Sequence, residues 1–231
     1  MVLNRFRDAG EALLQPLARR LEGVGADRLS WGSLVVALLA GLAFFAATPR
    51  DAWLLVAGAA LVLVNAVLDA LDGIIARSTG SASPAGNFLD HALDRYADLI
   101  ILAGLSFSAF GDLRFGLLAI TGIFLTSYLG TQAEAVGLKR DYGGLLGRAD
   151  RLVLLTLVPI VTAILVYLQQ PWWIAVRGPM VGSGPGRGEV ITVIGGLLLL
   201  FGILGHVTAA QRFVAARRAL LVREGRRVRR S

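Results

Sequence analysis

Uninterrupted apolar stretches long enough to cross a membrane occupy most of the chain. The hydrocarbon core of a bilayer is about 30 Å thick and needs roughly 20 predominantly apolar residues per helix. Four stretches of about this length carry no charged residue: 29–49, 115–133, 152–176 and 190–211. A fifth, 52–68, is also free of charge, and its helical pattern continues through Asp69 and Asp72. Each of these stretches predicts a membrane-spanning helix.

A sixth stretch differs from the others because its first part is acidic. It begins near Asn87, ends in the apolar run 99–111, and carries four charged residues between them, Asp90, Asp94, Arg95 and Asp98. Turn-forming residues separate the six stretches, at Pro49-Arg50, Ser78 to Pro84, Gly111-Asp112, Gly143-Gly144 and 178–188. The pattern predicts an all-α integral membrane protein with six transmembrane helices.

Residues 1–28 precede the first span and follow an amphipathic pattern. Apolar side chains recur at helical spacing among nine charged residues, at Val2, Leu3, Phe6, Ala9, Leu13, Leu14, Leu17 and Leu21. This pattern favours a helix that lies in the membrane interface over a frayed tail, and it lacks the uninterrupted apolar core of a signal peptide. We predict a juxtamembrane segment 1–28, a six-helix domain 29–216 and a basic tail 217–231.

Composition supports a membrane protein and narrows the metal chemistry. Of 231 residues, 55% are hydrophobic and 17% are charged, and the mean hydropathy is +0.67. Soluble domains carry about 25% charged residues. The chain has no cysteine and two histidines, His91 and His206, so a metal would bind carboxylates. Carboxylate ligands favour hard cations such as magnesium, manganese or calcium.

The basic residues predict the orientation in the membrane. An even number of spans places both termini on the same side of the membrane. Of the 23 lysines and arginines, 19 fall in segments on that side. Because basic loops face the cytoplasm, we expect a protein of the cytoplasmic membrane with both termini on the cytoplasmic side. The net charge of +7 does not indicate nucleic-acid binding, since the C-terminal arginines follow a span and suit anionic lipid headgroups.

Four aspartates define the candidate chemistry. Asp69 and Asp72 lie near the end of the second span, and Asp90 and Asp94 lie at the start of the third. Residues three or four apart share a helix face, and consecutive antiparallel helices bring the two pairs together. Four converging carboxylates repel one another unless cations neutralise them, and two divalent ions supply the matching charge. The alternative is a set of separate ion pairs, and Asp98, which can pair with Arg95, is left outside the site.

The segment from Asp69 to Asp94 resembles the signature of the CDP-alcohol phosphotransferase family. It matches at all eight specified positions, Asp69, Asp72, Gly73, Ala76, Arg77, Gly86, Asp90 and Asp94. The resemblance implies a six-helix fold with cytoplasmic termini and active site, and a homodimer. It also implies the transfer of a phosphoalcohol group from a CDP-linked lipid to an acceptor hydroxyl, with release of CMP.

The same resemblance assigns roles to individual residues. Asp69, Asp72, Asp90 and Asp94 resemble the ligands of two Mg²⁺ or Mn²⁺ ions, and Asp94 also resembles the base that takes the proton of the acceptor. The CDP-lipid pocket is expected to contain Asp72, Gly73, Ala76, Arg77, Ser83 and Gly86. Upstream, Ala26 to Ser30 is similar to the family's Pro-Asn-x-Leu-Thr segment, which adds Asp27 and Ser30 to the pocket. Asp27 is equally plausible as the N-cap of the first span.

Two later segments bear on the acceptor. Gln132 to Leu138 and Gly147 to Leu152 resemble the inositol-phosphate-using members of the family, with an archaetidyl-type donor favoured. Arg148, Arg151 and Arg212 are then candidates for binding the phosphate of inositol 1-phosphate. Two basic residues of the bacterial members are replaced by Gly130 and Gln132, so glycerol 3-phosphate and serine stay open as acceptors.

A protein of another class, an ion- or proton-coupled transporter, also places carboxylates at membrane depth. Transporters of this kind hold them near the bilayer midplane, between broken helices of related halves. Here the acidic residues gather at the predicted cytoplasmic ends of the second and third spans, and no internal repeat is visible in the sequence. The pattern favours the enzyme.

Overall fold

The computed structural model describes residues 7–138, 145, 147–176 and 189–228. Within these ranges the chain forms seven α-helices and one two-stranded sheet. The helices are α1 (Arg7–Leu21), α2 (Ala26–Ala46), α3 (Trp53–Ser78), α4 (Pro84–Phe107), α5 (Leu113–Ala135), α6 (Arg148–Tyr167) and α7 (Val193–Val228). The strands β1 (Trp173–Val176) and β2 (Glu189–Thr192) are antiparallel, with Trp173 opposite Thr192.

Five of these helices are long and apolar enough to cross a membrane, which confirms a mostly helical membrane protein. They are α2, α3, α5, α6 from Asp150, and α7 as far as Glu224. α4 has 24 residues, about 36 Å of helix, but its charged first half keeps it outside this set. Large apolar side chains on the outside of the bundle, such as Leu42 and Phe45, are more than half exposed, as expected of a surface in contact with lipid. The sixth span therefore stays a prediction.

The predicted helix over 152–176 is wrong beyond Tyr167. Gln169 has a positive φ of 55°, and Pro171 has no N–H for a further helical turn. The residues that follow, Trp173 to Val176, form β1 instead, and they pair with residues that were predicted to begin the last span. Both strands are rich in β-branched and aromatic side chains, which suit a pleated strand. An apolar run of sufficient length was thus mistaken for continuous helix.

The helix α1 lies within the segment 1–28, for which the sequence predicts an amphipathic helix, and its amphipathic character stays a prediction. Ala18 is 2% exposed and packs in one cluster with Leu71 and Ile75 of α3. The position of α1 relative to the membrane interface stays a prediction, and residues 1–6 lie outside the described part of the chain. At the other end, α7 continues without a break through most of the predicted basic tail to Val228.

Glycines allow the closest helix crossings. At the crossing of α2 and α4, a Cβ on Gly104 would overlap the carbonyl oxygen of Gly41. At the crossing of α5 and α7, Gly122 faces Gly205, and the Thr126 hydroxyl donates to the carbonyl oxygen of Gly205 at 2.8 Å. Small residues let backbones approach closely where lipid gives no hydrophobic drive for association. These crossings fix the helices that carry the polar residues.

A short connection places the acidic part of α4 beside the end of α3. Residues 79–83 join the two helices, and the Ser83 hydroxyl caps α4 by accepting from the Gly86 N–H at 3.1 Å. Pro84 follows at the first helical position, where its missing N–H has no cost. The two helices are antiparallel, and α2 and α6 begin at the same end of the bundle. We call this end, where α3 ends and α4 begins, the aspartate end.

Candidate active site

Three carboxylates meet at the aspartate end. One oxygen each of Asp69, Asp90 and Asp94 lies within 4.8 Å of the others. Asp94 is 8% exposed, and the other two are half-buried. Asp90 and Asp94 are one helical turn apart on α4, and Asp69 reaches them from α3. We call these three residues the aspartate trio.

The aspartate trio fits a hard divalent cation. Carboxylate oxygens are the ligands that magnesium and manganese prefer, and one atom from each residue is already within the span of a single coordination sphere. Three like charges at this separation, one of them buried, destabilise one another without a counter-charge. The residues that were predicted to hold a metal are therefore arranged in a way that favours binding one.

Asp72 lies outside the aspartate trio, although the sequence predicted it as a fourth ligand of the same cluster. Its side chain is 4% exposed and its Oδ2 accepts a hydrogen bond of 2.6 Å from the Ser30 hydroxyl of α2. The same hydroxyl is 3.3 Å from the Ala26 carbonyl oxygen, so the shorter contact with Asp72 takes its single proton. Three residues of helix turn through about 300°, which rotates Asp72 from the α4 side towards α2.

Gly73 follows Asp72 on α3, and Arg77 lies about one turn further along the same helix. Arg77 is exposed, and its Nη1 is 3.3 Å from the position that a Cβ on Gly73 would take. The missing side chain of Gly73 therefore leaves room for the guanidinium. Ala76 precedes Arg77 on the last turns of the helix and is half-buried. A planar guanidinium beside a small-residue surface suits a diphosphate.

The first turn of α2 adds Asp27 to the same region. Its Oδ1 is 3.8 Å from the position that a Cβ on Gly86 would take, so the starts of α2 and α4 are in contact range. The alternative that Asp27 is an N-cap is wrong, because α2 begins at Ala26 and Gly25, with φ of 84°, occupies the N-cap. Asp27 instead lies in the first turn, where the helix dipole favours a negative charge. Ser83 completes this edge as the cap of α4.

Sequence reasoning missed a chain of charges that leads away from Asp94. Arg95 Nη1 is 2.9 Å from Asp98 Oδ2, and its Nη2 is 3.6 Å from Asp94 Oδ2. Arg151, on the first turn of α6, donates through Nη2 to the same Asp98 oxygen at 3.2 Å. The signal was the spacing of Asp94, Arg95 and Asp98 along one helix, from which only the pair of Arg95 and Asp98 was foreseen.

The three arginines predicted to bind the acceptor have different surroundings. Arg151 is 8% exposed and engages Asp98, whereas Arg212 Nη1 donates to the Thr126 carbonyl oxygen of α5 at 2.7 Å. Arg212 also borders a groove of about 220 Å³ between α5 and α7, whose lining is otherwise alanine, leucine and glycine and includes none of the aspartates. The side chain of Arg148 lies outside the part of the chain that the structure describes.

Comparisons with known proteins agree with this geometry. The sequence model of the CDP-alcohol phosphatidyltransferase family matches residues 26–181, a range that contains the aspartate trio, Ser30 and Arg77. The archaetidylinositol phosphate synthase of Methanothermobacter thermautotrophicus is 31% identical over 172 residues, which cover 74% of this chain and 82% of the relative. The phosphatidylinositol phosphate synthase of Cutibacterium acnes is 29% identical over 226 residues, covering 94% and 99% of the two chains.

A solved relative also has the same fold. The crystal structure of Mycobacterium tuberculosis phosphatidylinositol phosphate synthase with CDP-DAG bound is 25% identical and superposes with a TM-score of 0.64, covering 87% of this chain and 92% of its own. A second crystal structure of that protein contains manganese and citrate, with the same identity and TM-score. That relative was thus crystallised with a CDP-linked lipid and with a divalent cation.

Proposed function

Because the chain belongs to the CDP-alcohol phosphatidyltransferase family, we propose that it is a membrane enzyme of phospholipid synthesis. It transfers the lipid-bearing phosphoryl group of a CDP-lipid to the hydroxyl of a polar acceptor and releases CMP. The observation that carries this proposal is the convergence of Asp69, Asp90 and Asp94 within 4.8 Å at the positions of the family signature. A transporter is not favoured, since these carboxylates gather at the ends of α3 and α4.

Asp94 is proposed as the base. Its carboxylate is 8% exposed, so few water molecules compete with the hydroxyl of the acceptor for it. The acceptor oxygen forms a bond to the lipid-bearing phosphorus while the bond from that phosphorus to the CMP oxygen breaks, and the carboxylate of Asp94 takes the released proton. Two divalent cations, Mg²⁺ or Mn²⁺, held by the aspartate trio together with Asp72, would neutralise the charge that accumulates on the diphosphate.

The donor is proposed to bind along the starts of α2 and α4 and the end of α3. Arg77 presents an exposed planar guanidinium to the diphosphate. Gly73, Ala76 and Gly86 leave space for the cytidine, and Asp27, Ser30, Asp72 and Ser83 supply polar groups around it. A CDP-lipid fits this arrangement because the nucleotide lies on the polar end while the lipid chains extend along the exposed apolar faces of the bundle.

Inositol 1-phosphate is the acceptor that we favour. The similarity to archaeal and bacterial inositol phosphate synthases supports it. Arg212, whose side chain is half-buried, is proposed as a ligand of its phosphate. Arg148 and Arg151, on the first turn of α6, are the other proposed phosphate ligands. Glycerol 3-phosphate and serine are the competing acceptors.

We extend the proposal to topology and assembly. α4 is the sixth span, α1 lies in the membrane interface, and residues 1–28, 29–216 and 217–231 are the three segments of the chain. Both termini and the aspartate end face the cytoplasm, since 19 of 23 basic residues fall in segments on that side. The protein acts as a homodimer in the cytoplasmic membrane.

The test of the reaction is an assay of CMP release. Purified protein is incubated with CDP-diacylglycerol or CDP-archaeol, with Mg²⁺ or Mn²⁺, and with inositol 1-phosphate, inositol, glycerol 3-phosphate or serine. We expect CMP only when a CDP-lipid, a cation and inositol 1-phosphate are all present, and none in excess chelator. Full activity in chelator would contradict the metal requirement, and efficient use of serine or free inositol would contradict the acceptor.

The acceptor site has its own test. Arg212→Ala is expected to raise the KM of inositol 1-phosphate about 10- to 150-fold, the equivalent of one lost charge-assisted contact, and to leave the KM of the CDP-lipid nearly unchanged. Arg218→Ala is the matched control, since this exposed arginine lies further along the same helix. Equal effects of the two variants would show that Arg212 contributes only positive charge.

A further inference from the structure

Asp98 is a partly buried carboxylate that the proposed reaction does not use. It lies one turn after Asp94 on α4, and its side chain is 16% exposed. Its Oδ2 contacts two guanidinium groups, at 2.9 Å from Arg95 Nη1 and 3.2 Å from Arg151 Nη2. One carboxylate oxygen thus joins two arginines that belong to different helices and are 56 residues apart in sequence.

Arg95 is shared unequally between two aspartates. Its contact with Asp98, at 2.9 Å, has the length of a charge-assisted hydrogen bond. Its contact with Asp94 Oδ2, at 3.6 Å, is too long for a hydrogen bond, although the charges still attract. Asp98 therefore holds the guanidinium at a distance from the carboxylate that is proposed to bind a cation and take a proton.

We propose that Asp98 is a positioning residue that keeps Arg95 from closing on Asp94. Without the carboxylate of Asp98, Arg95 would gain a direct hydrogen bond to Asp94 and would compete there with a divalent cation. This inference rests on the proposed role of Asp94 in the aspartate trio.

Asp98 has a second partner with a different consequence. Arg151 is 8% exposed and comes from the first turn of α6, so its contact with Asp98 ties α6 to α4 at the aspartate end. The inference concerns Arg95, whose Nη2 also lies 3.6 Å from Asp94 Oδ2. Replacing either arginine removes one positive charge from beside Asp98. Replacing Arg95 also removes the guanidinium that lies 3.6 Å from Asp94, so the two replacements form a matched comparison.

The test measures Mn²⁺ binding directly, by electron paramagnetic resonance or calorimetry on the purified full chain in detergent. Asp98→Asn is expected to weaken Mn²⁺ binding about tenfold, the equivalent of one new charged hydrogen bond between Arg95 and Asp94. Asp98→Asn with Arg95→Gln should restore the affinity of the parent. Asp98→Asn with Arg151→Gln restores the same net charge but leaves Arg95 in place, so its affinity should stay low.

Each result decides the matter. Equal restoration by both double variants would mean that only net charge counts and would overturn the inference, as would unchanged affinity in Asp98→Asn. If Asp98→Asn does not fold, Arg95→Gln alone is measured, and Mn²⁺ binding weaker than in the parent would overturn the inference. Asp98→Glu, which keeps the charge, should bind Mn²⁺ like the parent. A parent protein that binds no Mn²⁺ would overturn the proposed metal site itself, a result distinct from the others.

Discussion

Replacing Ser30 by alanine tests how far the site depends on a contact between α2 and α3. The Ser30 hydroxyl donates to Asp72 Oδ2 at 2.6 Å, and the two residues are 5% and 4% exposed. Water therefore cannot readily replace the lost donor. The change removes one oxygen atom and leaves the helix propensity of the position slightly higher, so its main effect falls on the Asp72 carboxylate.

The size of the effect follows from the type of hydrogen bond. A bond to a charged group contributes about 1.5–3 kcal/mol, and a buried acceptor that loses its donor carries this penalty. Because the bond orients a carboxylate that we assign to the donor site, we expect the loss to appear in the kcat/KM for the CDP-lipid. The equivalent decrease is about 10- to 150-fold.

Ser33 provides a matched control on the same helix. It is also 5% exposed, but its hydroxyl donates to the Ser30 carbonyl oxygen at 2.9 Å and does not contact an aspartate. A neutral bond of this kind contributes about 0.5–1.5 kcal/mol, which we expect to affect stability more than turnover. Both alanine variants are assayed for CMP release and for the temperature at which the protein loses its monodisperse peak in size-exclusion chromatography.

The outcome separates two explanations. Ser30→Ala should lose far more activity than Ser33→Ala, and Ser30→Thr, which keeps the hydroxyl, should stay near the parent. Equal activity losses in the two alanine variants would refute the reasoning, because the effect would then come from packing of α2. Activity of Ser30→Ala within a few-fold of the parent would also refute it.

Three further changes have defined outcomes. Asp94→Asn should abolish CMP release while equilibrium binding of the CDP-lipid persists, and turnover within a few-fold of the parent would remove Asp94 from the role of base. Gly104→Ala should lower the free energy of unfolding by about 1–3 kcal/mol, because the new Cβ would overlap a carbonyl oxygen of α2. Gly196→Ala on α7 should be neutral or stabilising, because a Cβ there would have no atom within 4 Å apart from its own helix backbone. Asp112 caps α5 at the opposite end of the bundle, where hydrogen bonding by the Arg114 side chain holds the pKa of its carboxyl below the usual range. Because the pKa of Asp112 is lower in the folded state than in the unfolded state, its contribution to stability is complete above about pH 4 and is lost as the pH falls through the folded-state pKa. Asp112→Ala should therefore lower the melting temperature at neutral pH and match the parent in strong acid.

The parts of the site that sequence could predict are those set by helical periodicity. Asp90 and Asp94 are four residues apart, so any helix over this segment places them on one face. A connection of a few residues then brings the end of α3, with Asp69 and Asp72, beside them. These two facts predict that carboxylates of the two helices come close together, and the structure brings Asp69, Asp90 and Asp94 within 4.8 Å of one another.

The environment of Asp72 could not be derived in the same way. The helix period offsets Asp72 from Asp69 around α3, but whether that offset removes it from the trio, and which partner it meets, depends on the neighbouring helices. The approach of Ser30 requires the crossing of α2 over α3, and 42 residues separate it from Asp72. The contact between Asp98 and Arg151 has the same origin, with 53 residues between them. Tertiary contacts of this kind leave no periodic signal in one sequence.

The error at β1 has a different cause. Length and apolarity identify a stretch that avoids water, but they do not distinguish a helix from a helix followed by a strand. Pro171 and the β-branched residues after it were the local signals, and they were outweighed by the absence of charge over 152–176. For α4, a membrane span was predicted despite its charges, because its acidic residues were interpreted as functional rather than as evidence against a span.

Polar side chains from neighbouring helices help the bundle to tolerate buried carboxylates at the aspartate end. Glycines also bring helices together, as at Gly41 with Gly104, and at the crossing of Gly122 with Gly205 the Thr126 hydroxyl adds a hydrogen bond. At the aspartate end, α2 and α6 each contribute a polar donor to an aspartate, Ser30 to Asp72 and Arg151 to Asp98. These donors satisfy the two aspartates that flank the trio, whereas the trio itself gathers three carboxylates within 4.8 Å. Arg95, whose Nη2 is 3.6 Å from Asp94 Oδ2, offsets part of the negative charge that the trio concentrates. The proposed cations would neutralise more of it, so the mutual repulsion of the three carboxylates favours cation binding.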